Sequence, residues 1–168
     1  MNRGIIYGLI AGFLTCGFLS TLYTNNPINI LLGYEKFCWL IIVALMITGV
    51  LMERNSQSEK FIDFNAALKN AFKIFIIAYL IKFIFIYLLF NYFDPKLLEM
   101  AKDTAVKIFV EHRDPDMTEE IFQQQLKAFR NGYFGPRLFD VGIMLEIIIG
   151  FVISLLSAII LRREKPEF

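Results

Sequence analysis

Four long apolar stretches constrain this 168-residue chain more than any other feature of its sequence. A helix needs about 20 predominantly apolar residues to cross a hydrocarbon core about 30 Å thick. The stretches cover residues 4–23, 35–52, 71–93 and 138–161. Each is long enough, or nearly so, to cross a bilayer once. We therefore expect a single membrane domain over residues 1–168, an all-α integral membrane protein built as a bundle of four transmembrane helices.

The composition supports this class and excludes several soluble functions. Hydrophobic residues make up 57% of the chain, above the roughly 45–50% of a soluble domain. A net charge of +1 provides no basic surplus for nucleic acid, which a nucleic-acid-binding face requires. The sequence has one histidine and no recognisable metal, phosphate-loop or nucleophile–base motif. We therefore expect membrane lipid as a partner, and neither catalytic residues, nor a metal or other cofactor, nor a nucleic-acid partner.

Lysine and arginine in the short connections predict the orientation, because they concentrate on the cytoplasmic side of a membrane. The first loop on one side offers only Lys36. The other side carries eight basic residues: Arg3, Arg54, Lys60, Lys69, Lys73, Arg162, Arg163 and Lys165. Both termini are therefore expected in the cytoplasm, and residues 94–137 on the opposite face. Tyr34, Trp39 and Tyr92 lie at span ends on that opposite face, as in an interfacial aromatic belt.

Two segments beside the apolar stretches have amphipathic patterns. Residues 61–73 fit an interfacial helix on the cytoplasmic leaflet, and equally an extension of the third span into water. Residues 94–137 predict a pair of short amphipathic helices between spans three and four, separated by Asp114 and Pro115. The apolar faces of this pair have three possible contacts: each other, the membrane or a partner.

Small residues recur at every fourth position in the first and fourth stretches. In lipid, small side chains mark the places where helix backbones approach each other closely. We therefore expect helix-packing strips with these members: Gly8, Gly12, Cys16 and Ser20 in the first stretch, and Gly142, Gly150 and Ser154 in the fourth. Glu146 occupies a position within the second strip.

Lys82 and Glu146 are the two charges placed deep in these stretches. They lie about 11 and 15 residues from the cytoplasmic ends of their spans, which separates their depths by roughly 6 Å at about 1.5 Å per residue. Two long side chains can bridge that separation. A deep ionisable residue costs at least a few kcal/mol and normally has a partner. Three interpretations stay open: a transport or proton path, a structural ion pair, and a snorkelling Lys82 beside a protonated Glu146.

Several motifs spread over the chain carry a family resemblance. They are GIIYGL at residues 4–9, FIDFNAALK at 61–69, Asp94-Pro95 followed by MTEE at 117–120, and GFVISLL at 150–156. With these motifs the chain resembles the domain-of-unknown-function family 4199 of small four-span bacterial membrane proteins. The family has no established activity or functional residues. Its members are often encoded beside glycosyltransferases similar to those that load sugars onto polyprenyl phosphate, so the resemblance implies such an enzyme as a partner.

Two functions follow from these observations. The first is a non-enzymatic subunit of the bacterial cytoplasmic (inner) membrane that anchors or stabilises a partner, with a polyprenyl-phosphate glycosyltransferase as the candidate. The alternative is a small transporter or channel that uses Lys82 and Glu146. Four spans are few for a transport path, so the alternative requires a homo-oligomer.

Overall fold

The computed structural model describes residues 3–31, 33–57, 60–132 and 141–163. These residues are 86% helical, with no strand among them. The helices are α1 (Arg3–Asn25), α2 (Ile28–Leu31), α3 (Cys38–Ser56), α4 (Phe64–Leu88), α5 (Lys96–Glu111), α6 (Glu119–Asn131) and α7 (Val141–Leu161). A 3-10 turn, Tyr34–Phe37, leads into α3, and a π-helical turn, Leu89–Phe93, extends α4.

Four helical segments are long and apolar enough to cross a membrane: Arg3–Asn25, Tyr34–Ser56, Phe64–Phe93 and Gly142–Leu161. The expected all-α class with four spanning helices is confirmed, and α5 and α6 form the short amphipathic helices between the last two spans. The third segment starts at Phe64 because the Asp63 carboxylate caps it by accepting a hydrogen bond from the Ala66 N–H at 3.2 Å. Residues 64–73 are therefore continuous with the spanning helix.

Helix α4 lies at the centre of the bundle and packs against α1, α3 and α7. Its Phe75 ring is fully buried and stacks between two other rings, with centroid distances of 5.5 Å to Trp39 and 5.6 Å to Tyr79. Trp39, which is half-buried, thus packs one face of its ring against the core. The reason is that stacking on Phe75 removes ring area from the surroundings of the bundle and adds a favourable ring–ring contact.

The strip on α1 faces α4 over its first half. A methyl group on Gly12 would lie 2.6–3.0 Å from Ile81, and one on Gly8 would lie 2.8 Å from the Ile77 Cβ. The Cys16 Sγ, half-buried, lies 3.9 Å from the Ile81 carbonyl oxygen. Gly8, Gly12 and Cys16 are therefore the residues that let α1 approach α4.

The strict four-residue spacing fails towards the end of α1, where Ser20 is exposed. An α-helix turns 100° per residue, so a residue at every fourth position drifts by 40° at each step. The buried face instead takes one step of three residues, from Gly12 to Thr15, and continues to Leu19.

The same drift divides the strip on α7. Gly150 lies against the Phe75 ring, where a Cβ would overlap ring atoms. Ser154 is buried, and its hydroxyl donates to the Gly150 carbonyl at 2.7 Å. Gly142, by contrast, is exposed. The two turns between Gly142 and Gly150 rotate Gly142 away from the face of α7 that contacts α4.

Basic side chains hold one end of the bundle together through helix C-terminal carbonyls. The Arg3 Nη1 donates to the Met52 carbonyl at 2.7 Å, and the Arg54 Nη1 donates to the Leu161 carbonyl at 3.3 Å. The backbones of Ile62 and Arg163 pair in both directions, at 3.1 and 3.2 Å. Cations favour the negative ends of helices, so Arg3 and Arg54, which also predict the orientation, join α1 to α3 and α3 to α7.

At the opposite end, α5 and α6 pack against each other. The rings of Phe109 and Phe122 stack at 5.5 Å. The Arg113 guanidinium lies 4.3 Å from the Phe122 ring centroid and 2.8 Å from the Glu119 carboxylate. Hydrogen bonds from Gln123 and from Arg113 lower the pKa of Glu119 below its ordinary value. Of the three contacts left open for these helices, the structure shows that their apolar faces meet each other.

A candidate intramembrane charge site

Lys82 and Glu146 meet inside the bundle. The Lys82 Nζ lies 3.4 Å from the Glu146 Oε2, across the contact between α4 and α7. Lys82 is only 5% exposed, whereas 39% of the Glu146 side chain is exposed. The Lys82 ammonium also lies 5.7 Å from the Tyr79 ring centroid, a distance at which the ring face attracts a cation. We refer to Lys82 and Glu146 as the intramembrane pair.

A second carboxylate, Glu35, joins this pair from the 3-10 turn before α3. Its Oε2 is buried and has no hydrogen-bond partner among the residues that the structure describes. The carboxylate lies within electrostatic range of both members of the intramembrane pair. Sequence reasoning missed it because Glu35 stands beside Lys36 at the edge of an apolar stretch, where a charged residue ordinarily marks the membrane interface.

Polar neighbours complete the surroundings of the three charges. The Tyr79 hydroxyl approaches the Glu146 carboxylate. The Cys38 thiol is buried within electrostatic range of Glu35 and of Lys82. Cys16 and Cys38 are both free thiols. Residues from α1, α3, α4 and α7 thus surround one small polar region in an otherwise apolar bundle.

The site lies between the middle of the bundle and one of its ends. Lys82 is closer along the third spanning segment to Phe93 than to Phe64, and Glu146 is closer to Val141 than to Leu161. This is the end that holds α5 and α6, opposite the end where Arg3 and Arg54 bind carbonyls. The residue types at the site can pair charges and hold a proton.

The outer surface of the four long helices is apolar. Phe13 on α1, Leu40 on α3, Ile84 on α4 and Ile148 on α7 are among the large side chains exposed there. Four helices that are long and apolar enough to span a membrane, and that expose hydrocarbon side chains, are typical of a multi-pass membrane protein in contact with lipid.

Comparison with known protein families identifies the family of this chain. It belongs to the family described as "Protein of unknown function (DUF4199)", whose profile matches residues 2–163. The match covers nearly the whole protein and confirms the resemblance drawn from its motifs. No curated protein and no solved structure matches the chain significantly.

Proposed function

We propose that this protein is a non-enzymatic subunit of the bacterial cytoplasmic membrane that anchors or stabilises a partner membrane protein. The exposure of Glu146 carries this proposal. Its side chain is 39% exposed on the surface of a spanning helix. Hydrocarbon cannot hydrogen-bond a carboxylate, and charged groups in spanning helices face protein or water rather than lipid. A protein surface over Glu146 meets that requirement.

The flank of α7 beside Glu146 suits another transmembrane helix. The exposed residues on this side of α7, next to its contact with α4, are Gly142, Leu145, Ile149 and Leu156. A glycine one turn from Glu146 lets a second backbone approach closely, as small residues do between membrane helices. The partner helix then needs a hydrogen-bond donor or a basic residue opposite the carboxylate.

The orientation and the class of partner belong to the same proposal. Arg3, Arg54 and Arg163 lie at one end of the bundle, and the preference of basic residues for the cytoplasm puts both termini there. The resemblance to family 4199 supplies the partner class, a glycosyltransferase that acts on polyprenyl phosphate.

Purification from native membranes in a gentle detergent tests the subunit role. We expect a reproducible membrane partner with the wild-type protein, and loss of that partner with Gly142→Trp. Ile148→Trp is the matched control, because Ile148 is exposed on the other side of the same helix. A wild-type chain that purifies alone, or equal retention of the partner by both variants, contradicts the proposal. If the purified complex contains only copies of this chain, the partner is a second copy of the chain and not the enzyme.

A small oligomeric transporter or channel is the second candidate, and Glu35 favours it. A relay needs more than one site for a proton or ion, and Glu35 adds a second acid next to the intramembrane pair. Proton flux into proteoliposomes should fall in Lys82→Met and in Glu146→Gln but not in Glu120→Gln, whose side chain is exposed on α6. Flux that survives both neutralising changes removes these residues from such a mechanism.

A further inference from the structure

Among the residues that the structure describes, the charges around Lys82 do not balance. Glu35 and Glu146 would contribute two negative charges, and Lys82 contributes one positive charge. In an apolar bundle a surplus charge is unfavourable, and two carboxylates that share one site take up a proton because they repel each other. A single added positive charge restores neutrality.

The other groups near Glu35 do not supply that charge. Lys36 acts on the Glu35 carboxylate from the same turn, but its side chain is exposed. Cys38 from α3 and Tyr79 from α4 are acids that add no positive charge. Cys16 from α1 lies beside Cys38 and is a thiol as well. Lys82 is therefore the one buried cation among the described groups that face the site.

We propose that Glu35, Lys82 and Glu146 form a binding site for one exchangeable proton. In the arrangement described, Lys82 pairs with Glu146, and the proton resides on Glu35, whose Oε2 has no partner among the described residues. In the alternative arrangement Lys82 pairs with Glu35, and the proton resides on Glu146. Both arrangements are neutral, so Lys82 can move between the two carboxylates without leaving a buried charge.

The two carboxylates differ in exposure, and this difference determines which of them exchanges a proton with the outside. The partly exposed Glu146 side chain is the carboxylate that can lose or gain a proton from outside, whereas the Oε2 of Glu35 is enclosed. When the proton passes from Glu35 to Glu146, Lys82 moves the opposite way, from Glu146 to Glu35, so the site keeps one proton and stays neutral; Glu146 then exchanges that proton with the outside. Because all three groups belong to this chain, the proton site can be tested on the chain alone, without the proposed partner over Glu146.

Infrared spectroscopy of the full chain, labelled with carbon-13 glutamate and purified in a maltoside detergent, tests the proposal. The carbonyl stretch of a protonated carboxylic acid is distinct from that of a carboxylate, so protonated Glu side chains can be counted. We expect one protonated Glu at neutral pH in the wild type and in the control Glu120→Gln. Glu35→Gln and Glu146→Gln should each abolish the signal, because the remaining acid pairs with Lys82. Lys82→Met should double it, because neither acid keeps a counter-charge.

Three results overturn the proposal. The first is no protonated Glu in the wild type at neutral pH. The second is a signal that survives either of the two glutamine substitutions. The third is a signal that appears only when Na⁺ is replaced by choline, which makes the site a sodium site. Where a variant fails to fold, the wild type decides alone: its signal must disappear on alkaline titration in a single one-proton step.

Discussion

Addition of one methyl group at Gly12 tests the packing of α1 on α4. In Gly12→Ala the new Cβ would lie 2.6 Å from the Ile81 Cδ1 and 2.8 Å from the Ile81 Cβ. The Cδ1 can rotate away, but the Cβ is fixed to the α4 backbone. The two helices must therefore separate by about 1 Å to restore carbon–carbon contacts of about 3.5–4.0 Å. Gly17→Ala is the matched control, because its Cβ would have no atom within 4 Å.

The difference between the two variants isolates the contact. Replacement of glycine by alanine in a helix interior stabilises by roughly 0.5–1 kcal/mol through the backbone alone, and both variants gain it. Overpacking a well-packed region costs about 1–3 kcal/mol, and only Gly12→Ala incurs that cost. We therefore expect Gly12→Ala to be less stable than Gly17→Ala by about 1–3 kcal/mol, and Gly17→Ala to be at least as stable as the wild type.

The assay is reversible unfolding in mixed micelles, followed by the fluorescence of Trp39. Trp39 is the only tryptophan, and its ring stacks on the buried Phe75. Its emission therefore reports the integrity of the core around α4. Equal stability of the two variants would refute the reasoning, since it would mean that α1 does not touch α4 at Gly12.

Three further predictions concern topology, coupling and the α5–α6 contact. A cysteine introduced at Gln124 should react with an impermeant reagent in intact cells and one at Gln57 should not; the reverse pattern inverts the orientation. Neutralising either member of the intramembrane pair should destabilise the protein by up to the 3–5 kcal/mol seen for buried pairs in soluble cores, and a double-mutant cycle should show that the two losses do not add. Arg113→Gln should raise the pKa of Glu119, measured by NMR, although the Gln123 hydrogen bond still holds it below its ordinary value. Because folding lowers that pKa, the stability that Glu119 contributes is present above its unfolded pKa and is lost as the pH falls through its folded pKa. In Arg113→Gln the two pKa values lie closer together, so less stability should be lost at acidic pH.

The sequence predicted the spanning helices well because apolar content over about 20 residues is a local property. The ends of the helices were harder to predict from the sequence. The amphipathic pattern of residues 61–73 fitted an interfacial helix and an extension of the third span equally well. The structure decides for the extension, because α4 is capped at Asp63 and continues without a break through residues 64–73. The role of Gly142 was missed for a geometric reason, since a strip read at a fixed spacing of four ignores the drift of a 3.6-residue turn.

The charge site was half predictable. Lys82 and Glu146 stand out because each interrupts a long apolar stretch, and their similar depths indicate a contact. Glu35 has no such signal, because its position relative to Lys82 depends on how the 3-10 turn before α3 is placed in the folded bundle. The contact of Trp39 with Phe75 had no sequence signal either, because it depends on how α3 packs against α4.

The distance along the chain between Lys82 and Glu146 has a consequence for biogenesis. The two residues are 64 positions apart, and a ribosome adding about 5–20 residues per second needs roughly 3–13 s to make that stretch. During this interval the ammonium of Lys82 has no Glu146 to neutralise it, and a lysine at the centre of a helix opposes insertion by about 2.5–3.5 kcal/mol. Until then the third helix can wait at the translocon, hold Lys82 near the headgroups, or pair Lys82 with Glu35, which is already made. Membrane integration of this chain is therefore completed only when its last helix arrives.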